Sequence, residues 1–155
     1  MSKATTVRPT VDYETTEHVR DSCLCLAAQR TARVLARHFD DMFRPLGLTS
    51  GQFSLLMSLN RPEPPSIGSV ASLLAMDRTT LTAALKPLER NGLLVIKVDP
   101  ADRRGRRLAL TGAGHRLLAT ALPIWKREHG RIEKLPEDAD ALRAGLRALA
   151  CSPLP

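Results

Sequence analysis

Apolar residues recur at three- and four-residue steps, or their sum, through the first third of the chain: Leu24, Ala28, Leu35, Phe39, Met42 and Leu46. That period marks one face of an α-helix. It predicts a helix from about Glu17 to Arg44, stopped by Pro45 and Gly47. At the usual rise this helix is about 40 Å long, too long to be covered by a small domain. Part of it is expected to pack on a second copy of the chain. The polar stretch 1–15 ahead of it reads as a flexible arm.

Thr49-Ser50-Gly51-Gln52 reads as a capping box opening a short helix that carries Phe53, Leu56 and Leu59. The prolines of Arg61-Pro62-Glu63-Pro64-Pro65 make a loop. Ser66 then caps a helix with Ile67, Val70 and Leu74 inward. The turn Ala75-Met76-Asp77 leads to a further helix, Arg78 to about Arg90, with Asp77 as its N-cap and Asn91-Gly92 as its stop. After Gly92 the period changes. Leu93 to Val98 is apolar and β-branched and predicts a strand; 99–105 is a turn, and Arg106 to Leu110 is the returning strand. Thr111 caps a long helix with Leu118, Leu122, Trp125 and Ile132 on one face, expected to bend at Pro123. A last helix, about Pro136 to Ala150, has Glu137 and Asp138 in its first turn and Leu142, Leu146 and Leu149 on one face.

The predicted fold is therefore mainly α with a small β-hairpin wing. A winged helix-turn-helix lobe spans 49–110, and the dimerisation helices are 17–46 and 111–150. Composition agrees: aromatics are 3% of the 155 residues, so the core must come from Leu, Ala, Val and Ile. No apolar run is long enough to span a bilayer and no leader-like stretch opens the chain, so no membrane partner and a cytoplasmic location are expected. The net charge of +7 suits a polyanionic partner, provided the charge is concentrated where it can meet one.

It is concentrated. In the helix from Arg78 the residues Leu81, Leu85 and Leu88 form an inward stripe. The opposite side presents Thr79, Ala83, Lys86 and Arg90, flanked by Arg78 and Thr82. Small and hydrogen-bonding residues among a few cations suit base edges and phosphates in a major groove. An ordinary solvated core helix would present the same face, and the hairpin decides between the two. From Lys97 to Arg107 five cations (Lys97, Arg103, Arg104, Arg106, Arg107) stand against Asp99 and Asp102. An arginine-tipped hairpin fits a minor groove, where the negative potential is strongest. Asp102, two residues before Arg104, is expected to orient the wing by a bidentate pair with that guanidinium.

These segments resemble the MarR family (multiple antibiotic resistance regulators) over about Cys23 to Trp125. The resemblance is carried by the stretch from Arg44 to Phe53, the helix start Asp77-Arg78-Thr79-Thr80-Leu81-Thr82, the segment Pro87 to Leu93, and the wing Asp99-Pro100-Ala101-Asp102-Arg103-Arg104, followed by Leu110-Thr111. It implies a homodimer formed by the first and last helices and bound to a pseudo-palindromic operator in double-stranded DNA. Arg104 would enter the minor groove while the helix from Arg78 reads the major one. It further implies a repressor relieved by a small-molecule effector, an aromatic or phenolic acid, or by an oxidant.

One branch of that family senses organic hydroperoxides through a cysteine, and Cys25 holds the matching place. The two tyrosines that support the sulfur in that branch fall on Gln29 and Phe39 here. For an acidic ligand the candidate contacts are Arg30, Arg33 and His38, which also read as ordinary surface residues. Cys23 and Cys25 point apart on a helix and cannot bridge. The four histidines have no ligand spacing, so no metal is expected, and no phosphate loop, nucleophile elbow or carboxylate pair suggests a cofactor or an enzyme. A winged helix used for protein interaction, without an operator, is the rival from a different class.

Overall fold

In a computed structural model of the protein, residues 10–152 are described. The chain divides into two compact units between Leu35 and Ala36.

In the first unit, α1 (Tyr13–Ser22) is capped by Asp12, whose carboxylate accepts the Thr15 N–H at 2.8 Å. Helix thus begins inside the stretch expected to be an arm; its residues 1–9 lie outside the described part. The expected helix from Glu17 to Arg44 is in fact two. Cys23 takes φ −76°, ψ 106°, and its Sγ accepts the Leu26 N–H at 3.3 Å. A side chain that caps a helix must itself stand outside helical geometry. The apolar stripe begins only at Leu24, and no glycine or proline in 17–23 marks the break. α2 (Leu24–Phe43) then crosses into the second unit.

There, Phe39 and Phe43 enter the core, and a 3₁₀ turn (Arg44–Leu46) is closed by Gly47 at φ 64°. That left-handed value favours glycine. Both halves of the capping box at Thr49 are made: its Oγ1 accepts the Gln52 N–H at 3.2 Å, and Gln52 Oε1 accepts the Thr49 N–H at 3.0 Å. They open α3 (Ser50–Leu59). Ser66 caps α4 (Ile67–Leu73), and Asp77 caps α5 (Arg78–Arg90) through the Thr80 N–H at 2.8 Å. Between them Ala75 sits at φ 50°.

β1 (Leu94–Val98) and β2 (Arg106–Leu110) pair antiparallel, Leu94 opposite Leu110 and Val98 opposite Arg106. Thr111 caps α6 (Gly112–Ile132), which continues through Pro123. α7 (Ala139–Cys151) starts later than expected: Asp138 is its cap, bonded to the Ala141 N–H at 2.8 Å, and Glu137 precedes the helix.

The core draws Phe43, Leu56, Val70, Leu81, Leu85, Leu88, Leu94 and Leu108, all under 2% exposed, from α2, α3, α4, α5, β1 and β2. Each such side chain contributes roughly 1.5–3 kcal/mol by leaving water. Leu118 and Ala121 extend the cluster into α6. α7 contributes nothing buried; its Leu142, Leu146 and Leu149 stay about half exposed. No helix among the described residues is long and apolar enough to cross a membrane.

Candidate nucleic-acid interface

The helix-turn-helix is built by α4, the turn at Ala75 and α5. Leu81, Leu85 and Leu88 anchor α5 at 1% exposure or less, so its other side must face solvent. Arg78, Thr79, Thr82, Lys86 and Arg90 all lie on that exposed side. The Arg78 guanidinium lies over α4, where a Cβ on Gly68 would come within 3.2 Å of it. Thr82 turns its hydroxyl back onto the Arg78 carbonyl at 2.7 Å. Thr79 and Lys86 make no side-chain hydrogen bond among the described residues and are open to a partner.

The wing places Pro100 to Arg104 and Arg106 in solvent. Arg106 Nη1 donates to the carbonyls of Arg103 at 3.1 Å and Gly105 at 3.0 Å, bracing the turn. The side chains of Arg103 and Arg104 have no hydrogen-bond or acidic partner among the described residues. The expected pair between Asp102 and the Arg104 guanidinium does not form. Asp102 Oδ1 accepts the Arg104 backbone N–H instead, at 2.9 Å. Two residues apart in a tight turn, a short carboxylate reaches the main chain more easily than the end of a long side chain.

Two further residues of the wing were missed as site residues. Asp99, 8% exposed, accepts the Ala101 N–H at 3.0 Å through Oδ1 and the Arg107 Nε at 2.6 Å through Oδ2. The bond from Ala101, helped by the Arg107 pair, outweighs burial and holds its carboxyl below the usual carboxylate range. Arg107 also donates to the Pro64 carbonyl at 3.3 Å. In sequence Arg107 looks like one more wing cation; only the hairpin register turns it inward.

The candidate ligand contacts fall in both units. Arg30 and Arg33 are exposed in the first unit, and Arg33 donates to Gln29 Oε1 at 2.9 Å. In the second unit His38 is engaged with Glu128, Nε2 to Oε2 3.2 Å. Glu128 is 3% exposed and also holds Arg127 at 2.8 Å and Arg131 at 3.5 Å. The Arg127 bond foremost, then the nearby guanidinium charges and His38, lower its pKa against burial. The signal was present: Glu128 lies three residues after Trp125 and four before Ile132, a charge on the apolar stripe. Cys25 is exposed, its Sγ 3.0 Å from the Gln29 amide nitrogen.

Helix, turn, exposed cationic helix and a cation-tipped hairpin in this order define a winged helix-turn-helix protein of the DNA-binding class. Residues 48–105 match the MarR family model. The chain is 31% identical to MosR, a transcriptional regulator of M. tuberculosis solved in complex with DNA; the match covers 83% of this chain and 94% of that one, with a TM-score of 0.77. It is 28% identical to the transcriptional repressor CouR on a 23-mer DNA duplex, covering 92% and 99% of the two chains at a TM-score of 0.76. CouR has also been solved with p-coumaroyl-CoA. The organic hydroperoxide resistance transcriptional regulator of Bacillus subtilis is 26% identical over 134 residues, 86% of this chain and 91% of the relative. The chain belongs to the MarR family and is a DNA-binding transcriptional regulator.

Proposed function

We propose that the protein is a homodimeric repressor that binds a pseudo-palindromic operator and is released by a small aromatic or phenolic acid. α5 enters the major groove, where Arg78, Thr79, Thr82 and Lys86 read or position bases and phosphates. Arg103, Arg104 and Arg106 serve the wing contact in the minor groove, and Asp102 shapes the turn that carries them. The observation that carries this reading is a single lobe in which α5 and the hairpin both turn unpartnered cations outward, in a chain similar to regulators solved on DNA.

Residues 17–46 and 111–150 supply the dimer contact and 49–110 the DNA-binding lobe. Leu142, Leu146 and Leu149 share one face of α7 and are 47–50% exposed, and in the first unit Val19 and Leu24 are 52% and 69% exposed; an apolar helix face left in water is what a second copy would cover. Two copies also match an operator whose half-sites lie one helical turn apart.

For the effector, a cleft of about 390 Å³ opens between α3, the end of α4 and α6, lined by Phe53, Ser54, Met57, Ser58, Leu73, Leu74, Leu122 and Trp125. It is of ligand size and suits an aromatic ring. Trp125 is the chain's sole tryptophan, so a phenolic acid that enters should quench its emission and release operator DNA at the same concentrations. Quenching without release ends the effector reading.

Fluorescence anisotropy at fixed salt tests the DNA contacts. Arg104→Ala should weaken operator binding on the order of tenfold or more. Unchanged affinity removes that contact.

A second reading is favoured by the exposed thiol of Cys25 and the similarity to a hydroperoxide-resistance regulator: DNA release through oxidation of Cys25. Peroxide would then release DNA from wild type and not from Cys25→Ser.

A further inference from the structure

Of the five wing cations, Arg107 is bound differently from the rest. Its Nε meets Asp99 Oδ2 at 2.6 Å and its Nη1 reaches the Pro64 carbonyl at 3.3 Å. Its backbone forms a β-bridge with Ser66, and the Leu108 N–H bonds the Pro65 carbonyl at 2.9 Å. Ser66 is the residue that caps α4. The base of the wing is thus tied to the proline loop that feeds the helix-turn-helix.

Asp99 is the other end of the tie. Its N–H bonds the Gly105 carbonyl at 3.1 Å, and the Gly105 N–H bonds the Asp102 carbonyl at 2.8 Å. A Cβ at Gly105 would meet Asp99 Cβ at 3.0 Å and the Asp102 carbonyl oxygen at 3.2 Å, so the turn closes directly over this carboxylate. A buried anion in a segment that faces a polyanion opposes binding by charge alone. Its partners explain its presence: it fixes the turn from which Arg103 and Arg104 project.

We propose that Asp99 and Arg107 are positioning residues for DNA binding, a strut that holds the arginine tip of the wing and α4–α5 in one frame. The proposal rests on the wing contact by Arg104 described above. Free hairpin motion would have to be frozen when DNA binds, and that ordering lowers affinity. Arg107 itself is then no DNA contact.

The sign of one substitution tests it. Asp99→Asn removes a negative charge from the wing, so electrostatics alone predicts tighter DNA binding. The strut predicts the opposite. The probe is the tightest duplex recovered from a random-sequence DNA pool with the wild-type protein, titrated by anisotropy at several salt concentrations. Asp99→Asn should bind about tenfold more weakly, with the log–log salt slope shallower by about 1, as for one lost phosphate-region contact. In an Arg104→Ala background the same substitution should change affinity less than about twofold, because the group it positions is gone. Arg107→Lys keeps the charge but not the two-point bracket and should weaken binding in the same direction, which keeps the test open if Asp99→Asn fails to fold. Equal or tighter binding by Asp99→Asn overturns the proposal, and so does its full effect persisting in the Arg104→Ala background when Arg104→Ala alone weakens binding. If Arg104→Ala alone leaves affinity unchanged, the wing-contact reading fails separately; a loss in Asp99→Asn would then support the strut with Arg103 as the group it positions.

Discussion

Gly114 sits in the first turn of α6, where alanine would ordinarily be the better helix former by about 1 kcal/mol. Here a Cβ would lie 2.1 Å from the Leu93 carbonyl oxygen, well inside the 3.0 Å that real contacts keep, and 3.2 Å from Leu110 Cδ2. The obstructing atom is backbone. It also accepts the Thr111 N–H at 3.1 Å, while the Thr111 hydroxyl donates to the Gly92 carbonyl at 2.6 Å. Relief requires α6 and the entry to β1 to separate by nearly an ångström, which breaks the junction between wing and helix. Overpacking of this kind costs typically 1–3 kcal/mol, enough to cancel the propensity gain and reverse the sign. Gly130, also inside α6, has nothing within 4 Å of an added Cβ. Urea denaturation at one fixed protomer concentration should therefore show Gly114→Ala less stable by up to about 2 kcal/mol and Gly130→Ala more stable by up to about 1 kcal/mol. A stabilised Gly114→Ala would refute the close approach of α6 to Leu93.

Other expectations follow from the same contacts. Thr111→Val removes a cap and a bond to Gly92, and should cost about 1–2 kcal/mol by the same denaturation assay. Leu85→Ala empties a site with no exposure and should cost about 2–5 kcal/mol. Glu128 and Asp99 both have lowered pKa values when folded, so their ionised forms stabilise the fold. That contribution is complete above their ordinary values of 4.5 and 3.8, and is lost as pH falls through the lower folded values. A melting curve series should fall steeply on acidification below about pH 4.5, and less steeply in Glu128→Gln. Finally, DNA affinity should fall with salt at a log–log slope of roughly −5 or steeper; a flat response would remove the phosphate contacts assigned to α5 and the wing.

Much of this architecture was legible because capping chemistry is local. Thr49 with Gln52, Ser66, Asp77 and Thr111 each announce a helix start within four residues, and each makes the bond expected of it. Cys23 escaped because a thiol is an unusual helix cap and no glycine or proline stands beside it to mark the break. The outward set on α5 follows from the stripe Leu81, Leu85 and Leu88, which leaves its other side in water. The wing was harder. Whether Asp102 or Asp99 takes an arginine depends on hairpin register and on the loop at Pro64, and neither is written in the spacing of charges. His38 found Glu128 across ninety positions of sequence, a pairing only packing creates.

All three phenylalanines and the one tryptophan fall into a single file of rings, His38–Phe39–Phe43–Phe53–Trp125–His129, with neighbouring centroids 4.4–6.5 Å apart. Four of the five neighbouring pairs lie within 32° of parallel, while His38 meets Phe39 edge-on, so the file joins α2, α3 and α6 through ring contacts. A molecule entering beside Phe53 and Trp125 would press on the end of the file that α3 and α6 share. That makes the lone indole a built-in gauge of how these three helices lean, readable without any label.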